Sequence, residues 1–277
     1  MDLVLQGQQA ETADLKCLAK LTRATEIRQT RPGVFRLAEA EPAAEVAELC
    51  RQAQLDWGFI PARRKPADFR LLAMDMDSTL ITIECIDEIA DWVGVKPRVA
   101  AITAAAMRGE LDFAQSLQQR VALLAGLEQS VLARVYDERL ALSPGAETLL
   151  AAMHGVGART LLVSGGFTFF TDRLKQRLGL DYTASNVLEI VDGRLTGKIL
   201  GNIVDAEGKA AALRRAQDDL GLSKEQVVAI GDGANDLKML AEAGVSIAYR
   251  AKPVVQGQAT YCLNWTGLDG VLPLLGG

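Results

Sequence analysis

The stretch Arg70-Leu-Leu-Ala-Met-Asp-Met-Asp-Ser-Thr79 puts two carboxylates two residues apart at the end of a short apolar run, followed at once by two hydroxyls. The run reads as a buried strand, and at an extended strand tip Asp75 and Asp77 would point the same way. Two like charges so close repel unless a cation, a shared proton or solvent relieves them. The working expectation is a divalent metal at this tip, with one of the carboxylates attacking phosphorus. Two further strand ends are chemically loaded: Ser164-Gly165-Gly166 and Gly231-Asp-Gly-Ala-Asn-Asp236. Each alone has a plain reading, as ordinary polar surface, a tight strand-to-helix turn or a helix cap. Their joint occurrence favours chemistry, because a parallel sheet gathers ligand-binding loops at the carboxyl ends of its strands.

Rival chemistries fail on particular residues. An EF-hand beginning at Asp75 has Leu80 where glycine is needed and Ile86 where the bidentate glutamate belongs. A Walker loop at Gly208-Lys209 is followed by Ala210, so the metal-binding hydroxyl is absent. The sole histidine, His154, excludes metal sites that need two. Cys17, Cys50, Cys85 and Cys262 have no CxxC spacing and suggest buried thiols in a reducing cytosol rather than zinc or disulfides.

The elements that must position these residues follow from periodicity. Residues 1–64 read as a βαββαβ unit: strand 3–5, helix 11–21, strands 24–28 and 34–37 around Arg31-Pro32-Gly33, helix 42–54 and strand 57–60. Residues 83–142 lack strand signals and predict helices over 86–93, 97–108, 113–125 and 128–139. From Ser143 an alternating pattern predicts helix 146–153, strand 159–163 and helix 169–178. It continues with a hairpin turning at Asp192-Gly193, helix 206–220, strand 227–230, a helix opened by 231–236, and strand 245–248.

The 277 residues are 49% hydrophobic and 23% charged, with net charge −5. No broad basic field exists to neutralise phosphates, which argues against nucleic-acid or anionic-membrane binding. Arg63-Arg64-Lys65 is the one compact basic run and reads as part of a linker. No apolar run is long enough to span a bilayer, and the first residues lack a signal-peptide pattern. A cytoplasmic location is expected, and a homodimer is left open.

The motifs together resemble the haloacid dehalogenase-like phosphohydrolases, whose first motif is Asp-x-Asp-x-Thr, and among them the phosphoserine phosphatase family. The resemblance rests on Asp75-Met-Asp-Ser-Thr-Leu80, Glu84-Cys-Ile-Asp-Glu-Ile89, 113–121, Ser143-Pro-Gly145, Ser164-Gly-Gly-Phe167 and Gly231-Asp-Gly-Ala-Asn-Asp-Leu237, and spans most of 70–262. It implies an aspartyl-phosphate formed on Asp75, and an Asp77 that protonates the leaving oxygen and then takes a proton from water. Asp77 would need a raised pKa for this, which burial favours. The resemblance further implies Mg²⁺ held by Asp75, the Asp77 carbonyl and Asp232, with Asp236 on its waters. It implies phosphate contacts from Ser164, Gly165, Lys209 and Asn235. Glu84 would meet the substrate ammonium, Arg120 its carboxylate, and Met107 and Phe113 its methylene.

The implied fold is α/β. It has a Rossmann-like, mainly parallel core (65–82 and 143–277), an all-helical cap (83–142) and an N-terminal ferredoxin-like, ACT-like α+β domain (1–64). The implied activity is Mg²⁺-dependent hydrolysis of a small-molecule substrate, O-phospho-L-serine, in serine biosynthesis. Two alternatives stand beside it: a phosphatase or phosphotransferase on another small phosphorylated amino acid or alcohol, and an amino-acid-binding regulatory protein with an inactive core.

Overall fold

The computed structural model describes residues 1–277. In chain order its main elements are β1 (Asp2–Gln6), α1 (Thr12–Leu21), β2 (Glu26–Arg31), β3 (Val34–Ala38), α2 (Val46–Gln52), β4 (Asp56–Ile60) and β5 (Leu71–Asp75). Four helices follow: α3 (Cys85–Trp92), α4 (Lys96–Met107), α5 (Phe113–Ala122) and α6 (Ser130–Glu138). Then come α7 (Ala146–Gly155), β6 (Arg159–Phe167), α8 (Thr168–Leu178), β7 (Tyr182–Val191), β8 (Arg194–Leu200) and α9 (Ala206–Leu220). The chain closes with β9 (Val227–Gly231), α10 (Leu237–Ala241), β10 (Val245–Tyr249) and β11 (Tyr261–Leu263). This is an α/β fold with a mixed sheet.

The chain divides into two compact units, Met1–Leu72 with Pro144–Arg159 and Leu222–Gly277, and Ala73–Ser143 with Thr160–Gly221. In the first unit the strands follow the order β2-β3-β1-β4-β11-β10-β9. β1 pairs antiparallel with both β3 and β4, whereas β9, β10 and β11 are parallel. Leu3, Leu5, Leu15, Leu18, Leu37, Val46, Cys50 and Leu55 form one apolar cluster under the β1–β4 sheet. Each such leucine contributes about 1.5–3 kcal/mol of burial. β4 joins β11 through the Trp57–Cys262 pair. The buried Asp56 carboxylate accepts the N–H groups of Asn264, Trp265 and Thr266 and the Thr266 hydroxyl, so that charge is fully partnered. α2 begins later than its apolar spacing predicts, because Ala43–Val46 forms a separate tight turn.

In the second unit the order is β5-β6-β7-β8, with β5 contributing its last three residues. All five β5 residues are buried, the pattern of a strand covered on both faces. β6 and β7 are parallel, and β7 and β8 form the hairpin, turning at Asp192 (φ 49) and Gly193 (φ 73). That two-residue turn needs positive φ at both positions, which Asp-Gly supplies. α9 spans the residues that the spacing predicts; the Asp205 carboxylate caps it by accepting the Gly208 N–H at 2.8 Å.

Candidate active site

β5 stops at Asp75, and Met76–Leu80 forms one wide turn in which Asp77 is extended (φ −67, ψ 133) and Ser78 is left-handed (φ 57). This corrects the expectation of one extended tip: the two carboxylates lie on either side of a bend. A non-glycine residue at positive φ is uncommon. Ser78 is held there by two bonds, its N–H to the Ile83 carbonyl and its Oγ–H to Glu84 Oε1 at 2.7 Å.

The bend gives the two carboxylates different partners. Asp75 Oδ1 pairs with Lys209 Nζ at 2.5 Å, with both side chains no more than 5% exposed. Lys209 sits in the first turn of α9 and is buried rather than on the helix surface. Asp77 Oδ1 accepts the Cys85 N–H at 2.8 Å, and Oδ2 accepts the Ser164 hydroxyl at 3.1 Å. Burial pushes the Asp77 carboxyl above the usual carboxylate range, against the opposing pull of Cys85, Ser164 and the Lys209 charge.

Ser164-Gly165-Gly166 is not a strand-to-helix turn. β6 continues to Phe167, and its register with β7 shifts between Val163 and Phe167, so these three residues form an irregular step in the ladder. The step folds back on itself, as the Gly166 N–H donates to Ser164 Oγ at 2.8 Å. Both glycines are required by close approach. A Cβ on Gly165 would lie 2.8 Å from the Phe113 ring, and one on Gly166 would lie 2.9 Å from Asp77 Oδ2. Phe113, at the start of α5, therefore lies directly against Gly165.

The other residues of the helical segment are more open. Glu84, the residue before α3, is exposed, and its Oε1 accepts the Ser78 hydroxyl. Arg120, on α5, is partly buried; it makes one long hydrogen bond to the Ser116 carbonyl (3.4 Å) and no ion pair. Burial pulls its guanidinium below its ordinary range, opposed by the charges of Asp87, Glu84 and Asp77. Met107 is 69% exposed at the end of α4 and is the one expected apolar contact that does not pack as an inward wall.

In the first unit, the segment after β9 carries Asp232, Asn235 and Asp236. Asp236 is buried, and its Oδ2 accepts the N–H groups of Asp232 (3.1 Å) and Gly233 (3.0 Å). A Cβ on Gly231 would collide with the Asp236 side chain, and one on Gly233 with Asn235 Oδ1, so the Gly-Asp-Gly pattern follows from side chains folding back. Asp232 and Asp236 are the carboxylates of this segment able to contribute to a metal site. Sequence reasoning missed two contributors. Cys85 acts through its backbone N–H, which no residue type announces. Asn186, buried on β7, donates to the Gly165 carbonyl at 2.8 Å and would be found only by seeing polarity inside an apolar strand.

The profile of the haloacid dehalogenase-like hydrolase family matches residues 72–241, and a domain of unknown function matches residues 3–46. A phosphoserine phosphatase of Polaromonas sp. is 55% identical over 216 residues, 76% of this chain and 92% of that protein. A haloacid dehalogenase-family hydrolase of Salmonella enterica serovar Typhi superposes with TM-score 0.90 at 35% identity, covering 99% of both chains. A probable phosphoserine phosphatase of Vibrio cholerae gives TM-score 0.87 at 38% identity, covering 99% of this chain and 86% of that one. No helix here is long and apolar enough to cross a membrane. The chain belongs to the haloacid dehalogenase-like hydrolases, and within them to the phosphoserine phosphatase family.

Proposed function

We propose that this chain is a cytoplasmic, Mg²⁺-dependent phosphoserine phosphatase that converts O-phospho-L-serine to L-serine and phosphate for serine biosynthesis. The observation that carries the reading is the buried Asp75–Lys209 pair beside an Asp77 whose carboxyl burial holds toward the protonated form. An ionised Asp75 is a competent nucleophile without an adjacent base, which suits a site without histidine. Its oxygen attacks phosphorus, and the bond from phosphorus to the serine oxygen breaks. The departing oxygen takes the Asp77 proton. Water then attacks the aspartyl-phosphate, gives a proton back to Asp77 and releases phosphate from Asp75.

The donor set suits a hard cation, since every candidate ligand is an oxygen. Asp75, the Asp77 carbonyl and Asp232 would hold Mg²⁺, with Asp236 on its waters. When bound, the ion would neutralise charge on the phosphoryl oxygens. Ser164 and Gly165 would bind those oxygens from the irregular step, with Lys209 and Asn235 adding charge and a polar contact.

Substrate choice falls to the helical segment, read as a cap over 83–142 on a core of 65–82 and 143–277. Glu84 would take the substrate ammonium, and the unpaired Arg120 guanidinium its carboxylate. Phe113 and Met107 would cover the methylene, Met107 moving inward as the cap closes. Residues 1–64 are read as an ACT-like domain, a reading supported by the βαββαβ order.

Phosphate release from a panel of small monoesters, with Mg²⁺ present, tests the proposal. Wild type should hydrolyse phosphoserine about a hundredfold faster than the analogue lacking the amino group, the worth of one charged contact. Equal rates would overturn the Glu84 assignment. Asp75→Asn should abolish turnover, and an active Asp75→Asn protein would refute the covalent route.

A further inference from the structure

The irregular step at Ser164–Gly166 leaves part of the β6 backbone outside the ladder with β7, which resumes only at the Phe167–Asn186 pair. A carbonyl outside the ladder still needs a donor. For Gly165 that donor is the Asn186 side chain, 1% exposed, whose Nδ2 reaches the carbonyl at 2.8 Å. Asn186 Oδ1 accepts the Val204 N–H at 2.8 Å. The partners fix which way the amide faces, because a carbonyl can only accept and an N–H can only donate.

Two lines of bonds leave this side chain. The peptide between Gly165 and Gly166 is held at its carbonyl by Asn186 and at its N–H by Ser164 Oγ, and Ser164 donates in turn to Asp77. Val204 immediately precedes Asp205, the cap of α9, whose first turn carries Lys209 and its pair with Asp75. One buried amide therefore spans the backbone step that would bind phosphate and the lead-in to the helix that would neutralise it.

We infer that Asn186 is a positioning residue for the phosphate end of the site, fixing the Ser164–Gly166 peptides and the start of α9 relative to each other. It touches neither substrate nor reacting atoms and acts through Gly165 and Val204. The inference rests on the phosphatase reading for its functional consequence. Aspartate is the sharpest substitution: it keeps the shape and the Val204 contact but sets an acceptor against the Gly165 carbonyl.

The test measures kcat/KM on phosphoserine and, separately, the binding of inorganic phosphate and of L-serine to Asn186→Asp and Asn186→Ala. Both variants should lose about a hundredfold in kcat/KM and about tenfold in phosphate affinity, with L-serine affinity within about threefold of wild type. A loss spread equally over phosphate and serine, or no loss in a folded variant, would overturn the inference. Should neither variant fold, amide exchange of the wild type decides: Gly166 and Val204 N–H should exchange slowly, and more slowly still with inorganic phosphate. Fast exchange at either amide refutes the clamp. Absence of phosphoserine turnover by wild type would instead refute the phosphatase reading, leaving phosphate binding and exchange to judge Asn186.

Discussion

At the β5 tip, Asp75 and Lys209 are already paired and nearly sealed from solvent, whereas in the helical segment Glu84 is exposed and Arg120 faces no ion-pair partner. Both regions carry charged groups, yet Asp75 and Lys209 neutralise each other within the chain and Arg120 has no ion-pair partner there. A buried charge without a partner is costly, so the end that performs chemistry must satisfy itself before substrate arrives. The end proposed for recognition is partly open, and water can solvate the Arg120 guanidinium. The difference implies a pocket preorganised where bonds change and completed by the substrate where it is chosen.

Removing Lys209 should have the largest effect on stability. Lys209→Met leaves the buried Asp75 carboxylate without its cation, and should cost about 3–5 kcal/mol of stability together with at least about a hundredfold in kcat. Urea unfolding with and without Mg²⁺ measures this, and the ion should return part of the lost stability by binding the same carboxylates. A variant as stable as wild type would mean that the pair is not sealed.

Arg120→Ala sharpens the other side of the comparison. KM for phosphoserine should rise about 10–100-fold with a smaller change in kcat, and KM for a monoester without a carboxylate should stay put. An equal rise on both substrates would reduce Arg120 to a packing residue. Stability should change little, because no ion pair is broken.

The smallest expected effect is the pH dependence of stability that Asp77 sets. Its carboxyl titrates higher in the folded chain than in the unfolded one, where the value is about 3.9. Between those two values the folded state binds more protons, so stability falls as pH climbs through that window. Asp77→Asn removes the dependence. In metal-free buffer the variant should gain on wild type above the window, and the gap should close below it. A gap independent of pH would show that burial does not perturb this carboxyl. Turnover should be lost at every pH.

Much of this was legible in the chain because it depends on local rules. The α9 limits follow from a capping aspartate and a glycine at the far end, and the hairpin turn follows from Asp-Gly. β11 was not legible: its three residues carry little periodicity, and it exists because β10 and β4 lie on either side. The Ser-Gly-Gly segment reads locally as a turn and becomes part of β6 because neighbouring side chains hold its backbone.

By itself, then, the sequence determined the chemical inventory: Asp75 and Asp77 at the end of a buried apolar strand, the glycine-rich segments and the family they resemble. Residue types at fixed spacing suffice for that. Tertiary structure decided how the two carboxylates are buried and partnered, because pairing depends on residues distant in sequence. Lys209 lies 134 residues from Asp75, and Ser164 lies 87 from Asp77. No local pattern encodes either contact, and the same holds for the buried amide of Asn186, whose two bonds reach 21 residues back to Gly165 and 18 forward to Val204.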